Sequence, residues 1–267
     1  MKTLIVVPAR YGSTRFPGKP LALIHGVSMI RRTARIAELA AGQLNDASYV
    51  VATDNVEIKA HCESHDIPVV MTAENLPTGS DRALAAAKAV GETASHIVNL
   101  QGDAPFTPIS HIVSAAQALG GGADVATPYI QLSWAALDAL REHKKITPFS
   151  GTTLIADENG KAVWFSKNII PAIRNEAALK TQSALSPICR HVGLYAYLRR
   201  ALEQFVSWPE SRFEKLEGLE QLRLLENGLS IECVKVDPPD VATPGIDTPE
   251  DVGLAERMIA KYGDPFS

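Results

Sequence analysis

Residues 8–21 read PARYGSTRFPGKPL and directly follow the apolar run of residues 3–7. This order places a flexible loop at the carboxyl end of a first strand, where α/β sheets bind anionic ligands. Gly12 and Gly18 can adopt positive φ and let the main chain approach a phosphate closely. The cationic side chains of the loop, which can neutralise a polyphosphate and donate to its oxygens, are Arg10, Arg15 and Lys19. The loop therefore indicates a nucleoside triphosphate.

Two common phosphate-binding motifs do not match this loop. Five residues separate Gly12 from the Gly18-Lys19 pair, and Pro20 stands where a Walker A motif has Ser or Thr. No G-x-G-x-x-G sequence opens the following helix either. The pattern therefore disfavours ATP hydrolysis and hydride transfer. A loop rich in Arg, Lys and Gly can also be a solvated turn, but its position after a first strand favours ligand binding.

The composition is that of an ordinary globular protein. The 267 residues are 46% hydrophobic and carry a formal net charge of −4, which provides no basic footprint for nucleic acid. Cys62, Cys189 and Cys233 are scattered and lack C-x-x-C spacing, so we expect reduced thiols and no structural zinc. Neither a membrane-spanning run nor a signal-peptide pattern is present. We expect a cytoplasmic protein without a membrane partner.

Strand and helix signals alternate through about residue 130. Apolar runs predict strands at residues 3–7, 48–52, 69–71, 96–100 and 124–129. Amphipathic spacing predicts helices at residues 30–41, 56–64, 81–90 and 109–119. This alternation is typical of a parallel sheet covered on both faces. We predict the α/β class, with a Rossmann-like, mostly parallel sheet flanked by helices.

The pattern changes over residues 132–186, which predict a smaller inserted α+β lobe within a single domain of residues 1–267. A short helix is predicted at residues 135–141, and a hairpin across residues 152–165 because an Asn-Gly turn separates two alternating segments. The remaining predicted elements are a strand at 191–197, helices at 199–206 and 214–227, a strand at 230–236 and a helix from Pro249.

Motifs along nearly the whole chain resemble the 3-deoxy-D-manno-octulosonate cytidylyltransferase family. The opening loop matches that family's P-A-R-x-x-S-T-R-x-P-G-K-P-L signature. The other matching motifs are VATD at 51–54, TGSDR at 78–82, QGD at 101–103, RHVGLYAY at 190–197, LEGLEQLR at 216–223 and GIDTPED at 245–251. The resemblance implies a fold of the nucleotide-diphospho-sugar transferase type. It also implies transfer of CMP from CTP to this acidic sugar for lipopolysaccharide biosynthesis, with a Mg²⁺ cofactor and a homodimer formed partly by the 132–186 lobe.

Two alternatives stay open. One is the same chemistry on another acidic sugar, such as an 8-amino analogue or a nonulosonate, and the other is a non-catalytic nucleotide-binding module. The sequence departs from the family pattern at Ala104, where QGDEP has an acid, at Lys167, where Arg is usual, and in TGSDR, which replaces SGTER. Residues 144–153 match poorly. The acceptor sugar is therefore specified less well than the nucleotide.

Two acidic residues could hold a divalent cation. Asp103 follows the strand predicted at 96–100, and a carboxylate at the carboxyl end of a central strand can hold a cation against a phosphate. Asp103 could instead be a turn or capping residue, since Pro105 follows. Asp247 or Thr248 could simply cap the next helix. The family resemblance assigns both Asp103 and Asp247 to Mg²⁺.

The resemblance also implies roles around the nucleotide. The catalytic set is Arg10, Arg15, Lys19 and Asp103. The nucleotide-binding set is Arg10, Gly12, Ser13, Lys19, Arg82 and Gln101. Arg82 and Gln101 would address the O2, N3 and N4 edge of cytosine, which uracil does not match. On residue type alone, Arg82 is better explained by an ion pair with Asp81 or a neighbouring acid.

An acidic acceptor sugar needs a cation and several hydroxyl partners. By resemblance, the sugar-binding set is Arg174, His191, Tyr195, Glu220 and Gln221, with Arg174 near the sugar carboxylate. Glu220 and Gln221 could instead lie on a solvated helix face, and Tyr195 could be a half-buried strand aromatic. Tyr197 would share the face of Tyr195.

Overall fold

The computed structural model describes residues 2–12, 16–91, 93–239, 245–264 and 266. Ser13 and Arg15, two predicted loop residues, lie outside the described residues. The first elements are β1 (Thr3–Ala9), β2 (Leu23–Ile24), β3 (Val27–Ser28), α1 (Met29–Gln43), β4 (Ala47–Thr53), α2 (Val56–Glu63), β5 (Val69–Met71), α3 (Gly79–Ala89), β6 (His96–Asn99), α4 (Ile109–Ala118) and β7 (Val125–Ser133). The later elements are α5 (Trp134–Ile146), β8 (Thr153–Ala156), β9 (Ala162–Ser166), α6 (Glu176–Gln182), β10 (Leu185–His191), β11 (Tyr195–Leu198), α7 (Arg199–Ser207), α8 (Arg212–Glu217), α9 (Gln221–Glu226), β12 (Ile231–Lys235) and α10 (Pro249–Tyr262).

A mixed sheet of ten strands runs through the described part of the chain, in the order β5-β4-β1-β6-β11-β7-β10-β8-β9, with β12 paired to β7. β5, β4, β1 and β6 are parallel. β11 lies antiparallel between β6 and β7, and β12 is parallel to β7. The α/β class and the Rossmann-like first half are confirmed. The alternation in sequence did not predict the antiparallel strand that separates β6 from β7.

β1 is buried on both faces because helices cover both sides of the sheet. Leu4 and Val6 pack in one core cluster with residues of α3. Ile5 and Val7 pack in a second cluster with residues of α1. Each such side chain contributes about 1.5–3 kcal/mol when fully buried. The loop that follows β1 is thus attached to a strand that is packed on both faces.

Two predicted elements are each interrupted. The strand predicted at 191–197 is two strands, because β10 ends at His191 and β11 begins at Tyr195. The helix predicted at 214–227 is two short helices, since Gly218 ends α8 with a left-handed φ of 61° that other residues adopt at a cost. These breaks place His191, Tyr195 and Glu220 at element ends, where side chains can converge.

Residues 132–186 extend the main sheet by antiparallel strands. The predicted hairpin is present as β8 and β9, and β8 pairs with β10, which pairs with β7. α5 is longer than predicted. A small core in this region contains Leu132, Trp134, Leu137, Leu140 and Ile188. No helix in the described ranges combines the length and apolar character needed to cross a membrane.

Candidate active site

Close packing of the loop after β6 against the end of β1 sets the geometry at the carboxyl end of β1. A Cβ on Gly102 would lie 2.3 Å from the carbonyl oxygen of Pro8. Glycine is therefore required at this position, because any side chain would force the two backbones apart. This contact holds residues 101–103, which follow β6, against the last residues of β1. Arg10 and Asp103 consequently reach the same edge of the sheet.

Lys19 joins the two carboxylates that were predicted to bind metal. Its Nζ lies 2.8 Å from Oδ2 of Asp103 and 3.3 Å from Oδ1 of Asp247. The Lys19 side chain is 12% exposed, whereas those of Asp103 and Asp247 are 37% and 46% exposed. We term this cluster of Lys19, Asp103 and Asp247 the phosphate end. Oxygens of two carboxylates that reach the same nitrogen can also converge on one cation.

The cap of α10 does not account for the Asp247 carboxylate. α10 begins with a capping box formed by Thr248 and Asp251. The Asp251 carboxylate accepts hydrogen bonds from the backbone N–H of Asp247 at 2.9 Å and of Thr248 at 2.8 Å. The expected capping by Thr248 is therefore present. The Asp247 side chain instead extends to Lys19.

A cavity of about 120 Å³ opens at the phosphate end, and Arg10, Lys19, Asp103 and Asp247 are among its lining residues. Small-molecule sites typically enclose about 300–1,000 Å³, so this cavity accounts for only part of a nucleotide. A larger cavity of about 610 Å³ lies between α1, the start of α4 and the end of α10. Of the predicted site residues that the structure describes, none lines that larger cavity.

Arg82 is buried and makes an ion pair. Its Nη2 donates to Oδ2 of Asp54 at 2.8 Å, and its Nη1 donates to the hydroxyl of Thr72. Asp54 Oδ1 also accepts a hydrogen bond from the backbone N–H of Tyr11 at 3.2 Å. A neighbouring acid was expected, and Asp54 rather than Asp81 is that partner. Asp54 thereby connects α3 to the cationic loop.

The other nucleotide residues lie around the same sheet edge. Arg10 and Gly12 are exposed, so both are accessible to a ligand. Gln101 is half-buried, and its Oε1 lies 3.7 Å from where a Cβ on Gly79 would be. Because α3 begins at Gly79, Gln101 faces the N-terminal end of that helix.

His191 and Tyr195 lie side by side beyond β6. Their ring centroids are 5.3 Å apart, and Tyr195 pairs in register with Asn99 of β6. The hydroxyl of Thr127 donates to the carbonyl of Leu194 at 2.8 Å. It must therefore accept from Nε2–H of His191, also at 2.8 Å. This tautomer leaves Nδ1 of His191 as an acceptor.

Burial keeps the His191 imidazole neutral. Desolvation lowers the pKa of His191 to about 3, because a low-dielectric environment disfavours the charged form. Desolvation likewise raises the pKa of Tyr195 well above its ordinary value. Both side chains are thus hydrogen-bonding groups, rather than proton donors or acceptors, at neutral pH.

Glu220 and Gln221 lie at the start of α9, where Glu220 is half-buried and Gln221 is buried. Burial raises the pKa of Glu220, an effect that a hydrogen bond from Ser80 partly offsets. Gln221 is 4% exposed, and within the described residues its Nε2 has no hydrogen-bond partner. A solvated helix face is therefore the wrong description of these two residues. We term His191, Tyr195, Glu220 and Gln221 the acceptor end.

Arg174 lies apart from the acceptor end in its hydrogen bonding. It is exposed, in the segment between β9 and α6. Across the described ranges, no hydrogen bond or ion pair connects Arg174 to the other sugar-binding candidates.

Three residues that hold site side chains in place were not predicted from the sequence, namely Asp54, Thr127 and Ser80. Of these, Asp54 and Ser80 stand inside the quoted motifs VATD and TGSDR, which was the available signal.

The chain is similar to known cytidylyltransferases over nearly its whole length. A family model described as cytidylyltransferase matches residues 4–231. The chain belongs to this cytidylyltransferase family and is a nucleotidyltransferase. It is 40% identical to the 3-deoxy-manno-octulosonate cytidylyltransferase of Maricaulis maris, over 99% of each chain. It is 38% identical to the 8-amino-3,8-dideoxy-manno-octulosonate cytidylyltransferase of Shewanella pealeana, over 97% of this chain and 99% of that one.

A solved structure is similar to this chain over almost its whole length. CMP:2-keto-3-deoxy-manno-octonic acid synthetase, complexed with CTP, superposes with a TM-score of 0.82 at 30% identity. The match covers 98% of this chain and 99% of that one. The similarity thus extends over the parallel strands, the antiparallel extension and both ends of the candidate site.

Proposed function

We propose that this protein transfers CMP from CTP to 3-deoxy-D-manno-octulosonate, releasing pyrophosphate. The observation that carries the proposal is the joining of Asp103 and Asp247 through Lys19 at 2.8 and 3.3 Å. This cluster lies at the sheet edge that binds phosphates in α/β proteins. Full-length similarity to a cytidylyltransferase for this sugar supports the choice of substrates.

The phosphate end has the donors that Mg²⁺ prefers. Mg²⁺ binds hard oxygens and is commonly held by one or two carboxylates together with substrate phosphates. Asp103 and Asp247 supply two carboxylates that already surround one cationic group, the Lys19 ammonium. Bound Mg²⁺ would neutralise charge at the α-phosphate and orient the attacking hydroxyl.

Lys19 and Arg10 are suited to stabilise the pyrophosphate that leaves. An ammonium has three N–H donors, and among the described contacts two of those of Lys19 go to carboxylates. The third can donate to a phosphate oxygen. As the anomeric hydroxyl oxygen forms its bond to the α-phosphorus, the bond between the α-phosphorus and the oxygen that bridges to the β-phosphorus breaks. That oxygen leaves with pyrophosphate, and the hydroxyl proton is lost to the medium. Fixed cations stabilise the charge that develops on pyrophosphate.

The acceptor end supplies neutral hydrogen-bonding groups and one carboxylate. Nδ1 of His191 can accept from a sugar hydroxyl, and Glu220 can accept from another. The unpaired amide of Gln221 can donate to a sugar oxygen. A ligand with many hydroxyls fits this set, because each buried polar group then gains a partner.

A second candidate acceptor is the 8-amino-3,8-dideoxy sugar. The Shewanella pealeana relative, at 38% identity over nearly the whole chain, favours it. Both acceptors place an acid and several hydroxyls in the site, and they differ in one amino group.

Pyrophosphate release from CTP tests the proposal. The acceptors compared would be the octulosonate, its 8-amino analogue, a nonulosonate and buffer alone, each with and without Mg²⁺. We expect Mg²⁺-dependent release with the octulosonate in excess of the others. Release of pyrophosphate without any acceptor would contradict the proposal, and so would the absence of release with every acceptor.

Light scattering in solution would test the further proposal of a homodimer.

A further inference from the structure

A buried hydrogen-bond network lies beneath the acceptor end. It consists of Ser80, Asn99 and Glu220, and we term it the Ser80 network. Ser80 and Asn99 are 3% and 1% exposed. They belong to α3 and β6, and Glu220 immediately precedes α9. Three separate parts of the fold therefore meet at one hydroxyl group.

The contacts of Ser80 determine where its proton points. Ser80 Oγ accepts from Nδ2 of Asn99 at 3.4 Å, a long hydrogen bond. A serine hydroxyl has one proton and two acceptor sites. Because the carboxylate of Glu220 can only accept, the Ser80 proton is donated to its Oε2, at 3.1 Å.

Several charged or titratable groups surround Glu220. Arg223 on α9 attracts the carboxylate, whereas Glu214 on α8 and Asp81 on α3 repel it. Tyr195 and Tyr197 on β11 face it as neutral phenols, and each has its pKa raised partly by Glu220. Among these groups, Ser80 is the one that donates a hydrogen bond to the carboxylate of Glu220. Its removal would leave a buried carboxylate without that hydrogen bond, which favours the protonated form.

We propose that Ser80 is a positioning residue, which fixes the Glu220 carboxylate as a hydrogen-bond acceptor for the sugar. This inference rests on the proposed function, because it takes the acceptor end to bind the sugar. Ser80 itself is too deeply buried to be assigned a contact with substrate. Its effect on the reaction passes through Glu220.

The test uses Ser80→Ala, with Ser80→Thr as the conservative variant that keeps a hydroxyl. Ser166→Ala is the matched control, because Ser166 is also 3% exposed and donates to a glutamate, Oε1 of Glu217, at 2.8 Å. Thermal unfolding establishes that each variant is folded. The measurements are KM for each substrate as a function of pH, and the titration of the Glu220 carboxyl by ¹³C NMR in the ligand-free protein.

We expect Ser80→Ala to raise the Glu220 titration midpoint by about one pH unit, the size of effect that one hydrogen bond to a charged group can produce. KM for the octulosonate should rise about tenfold, more at acidic pH, while KM for CTP stays within about twofold. Ser80→Thr should restore both values, and Ser166→Ala should leave the Glu220 midpoint unchanged.

An unchanged Glu220 midpoint in folded Ser80→Ala would overturn the inference, as would equal increases in KM for both substrates. If the unsubstituted protein released no pyrophosphate with any acidic sugar, the proposed function would fail. The NMR titration would still decide whether Ser80 controls the protonation of Glu220.

Discussion

At the phosphate end, Lys19, Asp103 and Asp247 form ion pairs in a half-exposed cavity, whereas at the acceptor end His191, Tyr195 and Glu220 are half-buried and desolvation shifts the pKa of each towards the neutral form. Both ends are reached from β6, since Asn99 pairs with Tyr195 and residues 101–103 lead to Asp103. The phosphate end presents charges to a polyanion. The acceptor end presents hydrogen-bonding groups, of which the His191 imidazole and the Tyr195 phenol are kept neutral by desolvation. The difference predicts that variants at the two ends will fail in different ways.

The largest effect is expected from Asp103→Asn, which removes a charge from the proposed metal site at almost constant volume. Loss of several kcal/mol of transition-state stabilisation corresponds to roughly a thousandfold or greater loss in kcat. Asp247→Asn should behave similarly. Steady-state pyrophosphate release at saturating Mg²⁺ measures both, with the exposed Asp66→Asn as a control. Near-normal turnover in Asp103→Asn would refute the metal assignment, and a loss of thermal stability alone in Asp247→Asn would restore the capping interpretation.

A smaller but still large loss is expected for Lys19→Ala. The substitution removes a cation aimed at phosphate, so kcat should fall roughly a hundredfold, as when one charge-stabilising donor is lost. The ratio of kcat/KM for CTP to that for UTP should barely change. A switch in base preference would show instead that Lys19 belongs to nucleobase recognition.

At the acceptor end, His191→Ala and Glu220→Ala should mainly weaken sugar binding. Each variant loses hydrogen bonds worth about 1–3 kcal/mol, which is roughly a ten- to hundredfold rise in KM for the octulosonate. KM for CTP should change little. Equal losses for both substrates would indicate a folding defect, and unchanged sugar kinetics would place the acceptor elsewhere.

At neutral pH the smallest effect is the one on stability, because the contribution of His191 to the free energy of unfolding changes only as the pH falls. The pKa of His191 is about 3 in the folded protein and about 6.5 in an unfolded chain, so between these values the unfolded state binds the extra proton. Stability should therefore fall as pH decreases from about 6.5 towards 3, by at most about 1.4 kcal/mol per pH unit from this residue. The free energy of unfolding of His191→Gln, measured with denaturant, should depend less steeply on pH than that of the unsubstituted protein. If the two proteins showed the same pH dependence, His191 would not be held neutral by burial.

The sequence predicted the phosphate end better than the acceptor end, for a physical reason. Arg10 directly follows β1, Lys19 lies in the loop that begins there, and Asp103 comes shortly after β6; the carboxyl ends of parallel strands must meet at one edge. Their convergence follows from local patterns alone. His191 and Glu220 converge only because β11 returns antiparallel between β6 and β7, and because Gly218 separates α8 from α9. Such tertiary arrangements leave no periodic signal.

The same distinction applies to buried polar partners. Arg82 was expected to pair with a nearby acid, but Asp54, 28 residues away along the chain, is its partner. The donation from Ser80 to Glu220 spans 140 residues. Pairing at such separations depends on how α3 packs against the strands and α9, which residue type does not specify.

The most direct test of the account is the identity of the product, since it requires both ends to act on their substrates together. ³¹P NMR of a reaction with CTP, 3-deoxy-D-manno-octulosonate and Mg²⁺ would follow every phosphorus atom. We predict that the CTP signals are replaced by one phosphodiester and by pyrophosphate in equal amounts, and that Asp103→Asn leaves CTP unchanged. Formation of free CMP with unmodified sugar, or no consumption of CTP by the unsubstituted protein, would contradict the account.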